Sequence, residues 1–218
     1  MVHLCIAREI LAANPGIKNK ADFLLGSLAP DAVHSRPGFG GDDKKKSHLY
    51  TGSANWGEIE NNAEWKDSIF DFYNKIKKSE ISLEFIQGYL THVLGDLENN
   101  IKIWTPFRMK YMSDVHDLNK MWDSDTHKEG YEIDSRLYMA IRDDDQLWEN
   151  LYKAKGIDLG GIVSAAEMDR MIASIPQQYS NRYPDGSFVF RFGSPEQTDK
   201  FIHEEADYIG SLLFGQGV

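Results

Sequence analysis

Apolar residues recur at helical spacing along most of the chain, and strand-like alternation is confined to one short stretch. Residues 2–13 place His3, Ile6, Ala7 and Ile10 on one face, which predicts an amphipathic first helix. A second short helix is predicted over 19–28. It stops near Ala29-Pro30, because proline disfavours a helical residue before it. Long helices are predicted over 56–78 and 81–99, the latter introduced by the start signal Ser79-Glu80. Further helical periodicity covers about 106–122, 133–154 and 162–174, and Pro195 can open a last helix over 195–214. Two stretches break this rhythm. From Ser35 to Lys46 the chain is glycine-rich and then basic, which predicts a mobile loop. From Tyr183 to Phe192 it reads as a turn followed by a short β-ribbon. The expectation is a single all-α domain over 1–218, a multi-helix bundle.

The predicted helix over 81–99 carries polar residues where apolar ones belong. Phe85, Tyr89, His92 and Asp96 recur every three or four residues beside Ile86, Leu90, Val93 and Leu97, so their stripe faces the core. His92 and Asp96 then lie one turn apart on that face. An inward carboxylate is costly without a positive partner, and a hydrogen-bonded histidine or a metal ion can provide one. Gly88 and Gly95 weaken the same helix, which suggests close approach by a ligand or a neighbouring helix.

Other polar residues stand in similar company. Asp31 ends the apolar segment Phe23 to Pro30, either as a helix N-cap or, with His34 three residues on, as part of a site. His48 lies where the glycine-rich stretch re-enters the fold, and His3 lies on the apolar face of the first helix. Singly, these are ordinary loop or core histidines. Together His3, Asp31, His48, His92 and Asp96 form an imidazole and carboxylate set without thiolate, which suits zinc and other divalent first-row metals. Such ions in a cleft can generate hydroxide and clamp a phosphate ester.

These residues resemble the zinc-dependent phospholipase C family, whose relatives include the zinc-dependent single-strand nucleases. The resemblance covers about the first hundred residues. It is carried by His3, by Leu25-Gly26-Ser27-Leu28-Ala29-Pro30-Asp31-Ala32, by Lys46-Ser47-His48, and by the run from Gly88 through His92 to Asp96. It implies an all-helical fold with a metal site in a central cleft and a phosphodiesterase-like hydrolase activity. It further implies that Asp31, His48, His92 and Asp96 hold one zinc, and that His3 and a shared Asp96 form part of a neighbouring site. Asp31 would also accept the proton of the attacking water. The chain departs from the family pattern after Asp96, where no histidine follows, and at Met1-Val2, where the family has a processed tryptophan. One to two ions are therefore expected rather than three.

Composition narrows the setting. A net charge of −10 opposes binding to nucleic acid, so the expected partner is a small phosphorylated substrate. Lys44 to Lys46 stand out against this charge as a flap that draws anions. No apolar run reaches transmembrane length, the start lacks a signal-peptide pattern, and Cys5 is the single cysteine, so a cytoplasmic location is expected. His203 and Asp207, four residues apart near the C-terminus, are additional ligand candidates or a solvated helix face. Asp123, Asp125 and Glu132 lack the glycine and terminal glutamate positions of a calcium loop. The competing functions are an HD-type phosphohydrolase using His116-Asp117 and a non-catalytic metal-binding protein that kept the fold.

Overall fold

The computed structural model describes residues 1–112, 125–179, 186–190 and 193–215. These residues are all-α. In chain order the helices are α1 (Val2–Ala13), α2 (Lys20–Leu28), α3 (Gly41–Ser47), α4 (Asn62–Ile76), α5 (Leu83–Asn99), α6 (Thr105–Met112), α7 (Asp125–Ile141), α8 (Asp145–Lys153), α9 (Ala165–Tyr179) and α10 (Pro195–Phe214). A 3₁₀ segment, Ala29–Ser35, follows α2, and a π turn, Asn100–Trp104, joins α5 to α6. No helix among the described residues is long and apolar enough to cross a membrane.

α5 is the central element. It packs most extensively against α2 and also touches α1, α4 and α10. Its entry is capped by Ser82, whose hydroxyl accepts from the Phe85 N–H at 3.3 Å. Most of its residues from Phe85 to Leu97 are buried. Two glycines let α2 and α5 approach to backbone contact. A Cβ on Gly26 would collide with the Phe85 carbonyl, and one on Gly88 would collide with the Phe23 carbonyl. The close approach expected at Gly88 is therefore by a neighbouring helix. Gly95 differs, since a Cβ there would sit at an ordinary 3.5 Å from His3 Nδ1.

Several local expectations are corrected. The stretch 35–46 is not a loop throughout, because α3 occupies Gly41–Ser47. Asp42 and Asp43 lie in its first turn and Lys44 to Lys46 in its last, the charge order that complements a helix dipole. Asp43 also accepts from the Gly40 N–H at 3.0 Å. The helix expected over 56–78 begins only at Asn62, behind the Asn61 cap. The helix expected over 133–154 is two helices. Asp144 caps α8 by accepting from the Leu147 N–H at 3.0 Å, and the Trp148 indole N–H donates at 2.9 Å to Ile141 O at the end of α7. α9 starts at Ala165 rather than 162, behind a Ser164–Glu167 capping box, and runs past 174 through Pro176 to Tyr179. The β-ribbon is absent among the described residues of its span, 186–190, where no second strand is available to pair. The rest of that span, and 113–122 of the helix expected over 106–122, lie outside the described residues.

Arg36 ties the 3₁₀ segment to α3 and α9. Its guanidinium donates to Glu167 and Asp43, both at 2.6 Å, and to Ile162 O at 2.9 Å. These bonds hold the Glu167 carboxyl down at about 2, chiefly through Arg36. A carboxyl held low in the fold stabilises above its unfolded pKa and loses that contribution as pH falls through its folded value. The carboxylate's bonds should therefore stabilise the fold at neutral pH, a contribution lost as pH falls from about 4.5 toward 2. Glu167→Gln is expected to lower stability at pH 7 and to flatten the acid limb of stability against pH. Parallel acid limbs for the two proteins would refute the assignment.

Candidate metal centre

The site grows from α5. One helical turn carries His92 and Asp96 inward, and α2, the 3₁₀ segment, α3 and α1 bring Ser27, Asp31, His48 and His3 up to them. His92 is fully buried. Its Nδ1 donates to Ser27 O at 2.7 Å, a contact that the glycine-mediated approach of α2 and α5 makes reachable. A carbonyl only accepts, so the proton is on Nδ1 and the Nε2 lone pair faces the cluster.

His48 is oriented in the same way from the other side. Its Nδ1 donates to Lys44 O at 3.0 Å, so its Nε2 also faces inward. The end of α3 aims it. The Tyr50 N–H donates to Lys45 O at 2.9 Å and the Leu49 N–H to Lys46 O at 3.2 Å, the two bonds of a Schellman motif. That motif needs a left-handed residue, and here Leu49 takes it with φ 60°. A non-glycine residue there costs about 1–2 kcal/mol, against the two bonds and the burial of its side chain. The Trp65 indole donates to His48 O at 2.7 Å, and the Tyr89 hydroxyl donates to Ser47 O.

The inward atoms converge. His48 Nε2 and His92 Nε2 are 3.2 Å apart. Asp96 presents Oδ2 to His48 Nε2 at 3.1 Å and to His92 Nε2 at 3.8 Å, and Oδ1 to His3 Nε2 at 3.2 Å. Asp31 lies 3.5 Å from His48 Nε2 and 3.9 Å from His92 Nε2. The His3 ring stacks on His92 with centroids 3.6 Å apart. Two ligand sets each fit within 4.8 Å: His48, His92 and Asp96, and His3, Asp31 and His92. His92 belongs to both, but one imidazole lone pair binds one ion. Only a carboxylate such as Asp96, with each oxygen toward a different histidine, can bridge two.

The protonation states are those of a ligand set. Burial, then the stacked His3, holds His92 well below its usual pKa and therefore neutral. Burial pushes both carboxyls up, but it is outweighed. The Lys44 ammonium foremost holds Asp31 well below the usual carboxylate range, and His3 foremost does so for Asp96. With both Nδ1 protons turned to carbonyls, the two Nε2 lone pairs face one another at 3.2 Å, and burial disfavours a proton on His92 Nε2 between them. A cation held by both nitrogens and the carboxylates removes the conflict, so these residues fit a divalent metal.

All five core candidates therefore come together. His34 is at the margin, half exposed, with Nδ1 3.8 Å from Asp31 Oδ1 and its ring edge-on to Phe39. His203 and Asp207 do not join. His203 is exposed on α10 and pairs with Glu9 at 2.7 Å, and Asp207 is exposed on the same helix. His116-Asp117 lies outside the described residues. Lys44 has a role that sequence reasoning missed: its ammonium donates to Asp31 rather than reaching out on a flap, and Lys45 pairs with Asp42 at 3.2 Å. Its position four residues before His48 would have placed it beside the site had α3 been recognised, though not its pairing with Asp31.

A cleft of about 1170 Å³ opens onto His3 and Asp96, with Asn99, Lys102, Phe107 and Phe190 among its walls. Lys102 is held there by Glu98 at 3.2 Å and by the buried Glu205 at 2.5 Å. The site thus has a polar floor and a wide, partly apolar approach. Comparison with protein-family models, with curated proteins and with solved structures finds no match, so the resemblance to the zinc-dependent phospholipase C family rests on the motif residues themselves.

Proposed function

We propose that the chain is a metal-dependent hydrolase of a small phosphate ester, using one or two divalent ions, zinc foremost, held by His3, Asp31, His48, His92 and Asp96. The observation that carries this reading is the pair of Nε2 lone pairs facing at 3.2 Å between two ionised carboxylates. A bound divalent ion would polarise a phosphoryl oxygen and lower the pKa of a bound water toward about 7. The residues do the rest. Ser27 O and Lys44 O fix the two imidazole tautomers. Asp96 faces the cleft, so a phosphate entering by that route meets it together with His3. Asp31 would take the proton. Its low pKa makes it a weak base, which suits a donor already acidified. The reading includes a cytoplasmic setting, supported by Cys5, a single buried thiol pushed up to about 11 by burial.

Elemental analysis of the purified protein, paired with a panel of aryl phosphomonoesters and phosphodiesters, tests this. One to two equivalents of metal are expected, with hydrolysis abolished by chelation and restored by zinc. His48→Ala should lose at least about 100-fold in metal affinity, more than the usual loss of an outer-shell partner. Metal at 100-fold excess over Kd should add about 2.7 kcal/mol of stability, seen as a higher Tm. A protein that takes up no metal, or that holds it and hydrolyses nothing on the panel, would remove the reading.

A further inference from the structure

A second, smaller cavity of about 190 Å³ adjoins the centre, walled by Trp56, Trp65 and Trp104, with Lys44, Asp96 and Asn99 among its polar groups. Asp96 and Asn99 also line the large cleft, so the two spaces meet beside the candidate ligands. Asn99 sits one turn beyond Asp96 on α5, partly exposed, and its amide makes no hydrogen bond among the described residues. An amide left without a partner between two cavities is placed to bind something that enters them.

The walls define what fits. The Trp65 indole N–H is committed to His48 O and that of Trp104 to Gly57 O, both at 2.7 Å, so neither of these two rings offers its donor to an occupant. The Trp56 and Trp65 rings stand 5.4 Å apart at 75°, forming a corner rather than a parallel slot. A puckered ring with C–H groups on its face and hydroxyls on its rim fits a corner. The Lys44 ammonium lies 5.3 Å from the Trp56 ring centroid, so the cation–π position is already taken by a positive charge. That disfavours a quaternary ammonium and provides a donor for hydroxyls. The volume is below that of pockets for drug-sized ligands, which limits the occupant to one small ring.

We propose that this cavity binds a cyclic polyol, a cyclitol or hexose ring, with its C–H face against Trp56 and its hydroxyls at Lys44 and Asn99. The ring is one substituent of the phosphate ester, whose other part extends into the large cleft. For the phosphate itself the inference rests on the hydrolase reading. For the ring it does not.

The test uses phosphate-free probes on the chelator-treated, ¹⁵N-labelled full chain. Three of its five tryptophans line the cavity, so indole N–H resonances report on it directly. Titration with myo-inositol should shift the Trp56, Trp65 and Trp104 signals saturably and leave Trp148, packed on Tyr138, in place. Asn99→Ala, at a partly exposed position, should keep the fold and weaken binding roughly five- to tenfold, the worth of about one hydrogen bond. Choline or thymidine shifting these signals at lower concentration than myo-inositol would overturn the proposal. So would an absence of shifts with myo-inositol, or unchanged affinity in Asn99→Ala. Binding in a protein that hydrolyses no phosphoester supports this inference and removes the hydrolase reading. Hydrolysis without these shifts does the reverse.

Discussion

Asp96→Asn is expected to lose all bound metal and all hydrolysis, whereas His3→Ala should keep one ion. Asp96 turns Oδ1 to His3 and Oδ2 to His48, so it is the residue placed to bridge two ions. Replacing it removes a full negative charge from a point close to both. The repulsion between the ions then goes uncompensated at short range, where it is largest. The amide also keeps only one oxygen as a donor. His3→Ala removes one neutral donor from one ion and leaves Asp31, His48 and His92 assembled, since those contacts do not pass through His3. Metal content of the two variants by elemental analysis checks this. Full metal in Asp96→Asn with none in His3→Ala would reverse the assignment. No change in either variant would mean that the cluster is a buried hydrogen-bonded network.

The second large effect should come from a residue that touches no ligand. Gly88→Ala is expected to destabilise the fold by about 3 kcal/mol or more, because its Cβ would drive into the Phe23 carbonyl and a backbone cannot rotate aside as a side chain can. α2 must then move away from α5. The bond from His92 Nδ1 to Ser27 O spans that same contact, so the imidazole loses its orienting partner. Gly95→Ala is the control on the same helix. Its Cβ finds ordinary contact distances, so the alanine should be neutral or gain up to about 1 kcal/mol of helix propensity. Denaturant unfolding with chelator present separates the packing effect from metal stabilisation. Gly88→Ala as stable as the parent would show that the two helices can part without cost.

Local signals made much of this legible in advance. His92 and Asp96 were visible because helical periodicity alone assigns them to the buried face, and it does. Asp31 and His48 were visible as polar residues at the edges of apolar segments. α3 was obscured by the glycines ahead of it, although the order of Asp42 and Asp43 before Lys44 to Lys46 carries the helix-dipole pattern. The capping box of Ser164 and Glu167 is a local signal of the same kind, and it sets the start of α9 at Ala165. Other features are invisible to local reasoning. Leu49 in a left-handed conformation has no sequence signal, because the usual residue there is glycine. The pairing of Lys44 with Asp31 depends on where α3 docks, and the commitment of His92 to Ser27 O joins residues 65 positions apart.

The π turn at Asn100–Trp104 separates two kinds of change open to this protein over evolutionary time. A π turn accommodates one residue more than the regular helix around it, and such turns gather at functional sites. Losing a single codon within it would regularise the helix. His92 and Asp96 lie upstream and would keep their register. A regular turn covers the same rotation with one residue fewer, so α6 would keep its facing while Trp104, the last residue of the π turn, is displaced. A lineage could in this way rebuild the aromatic wall of the small cavity, and with it the choice of ligand, in one deletion and without touching the residues that gather around the facing imidazoles.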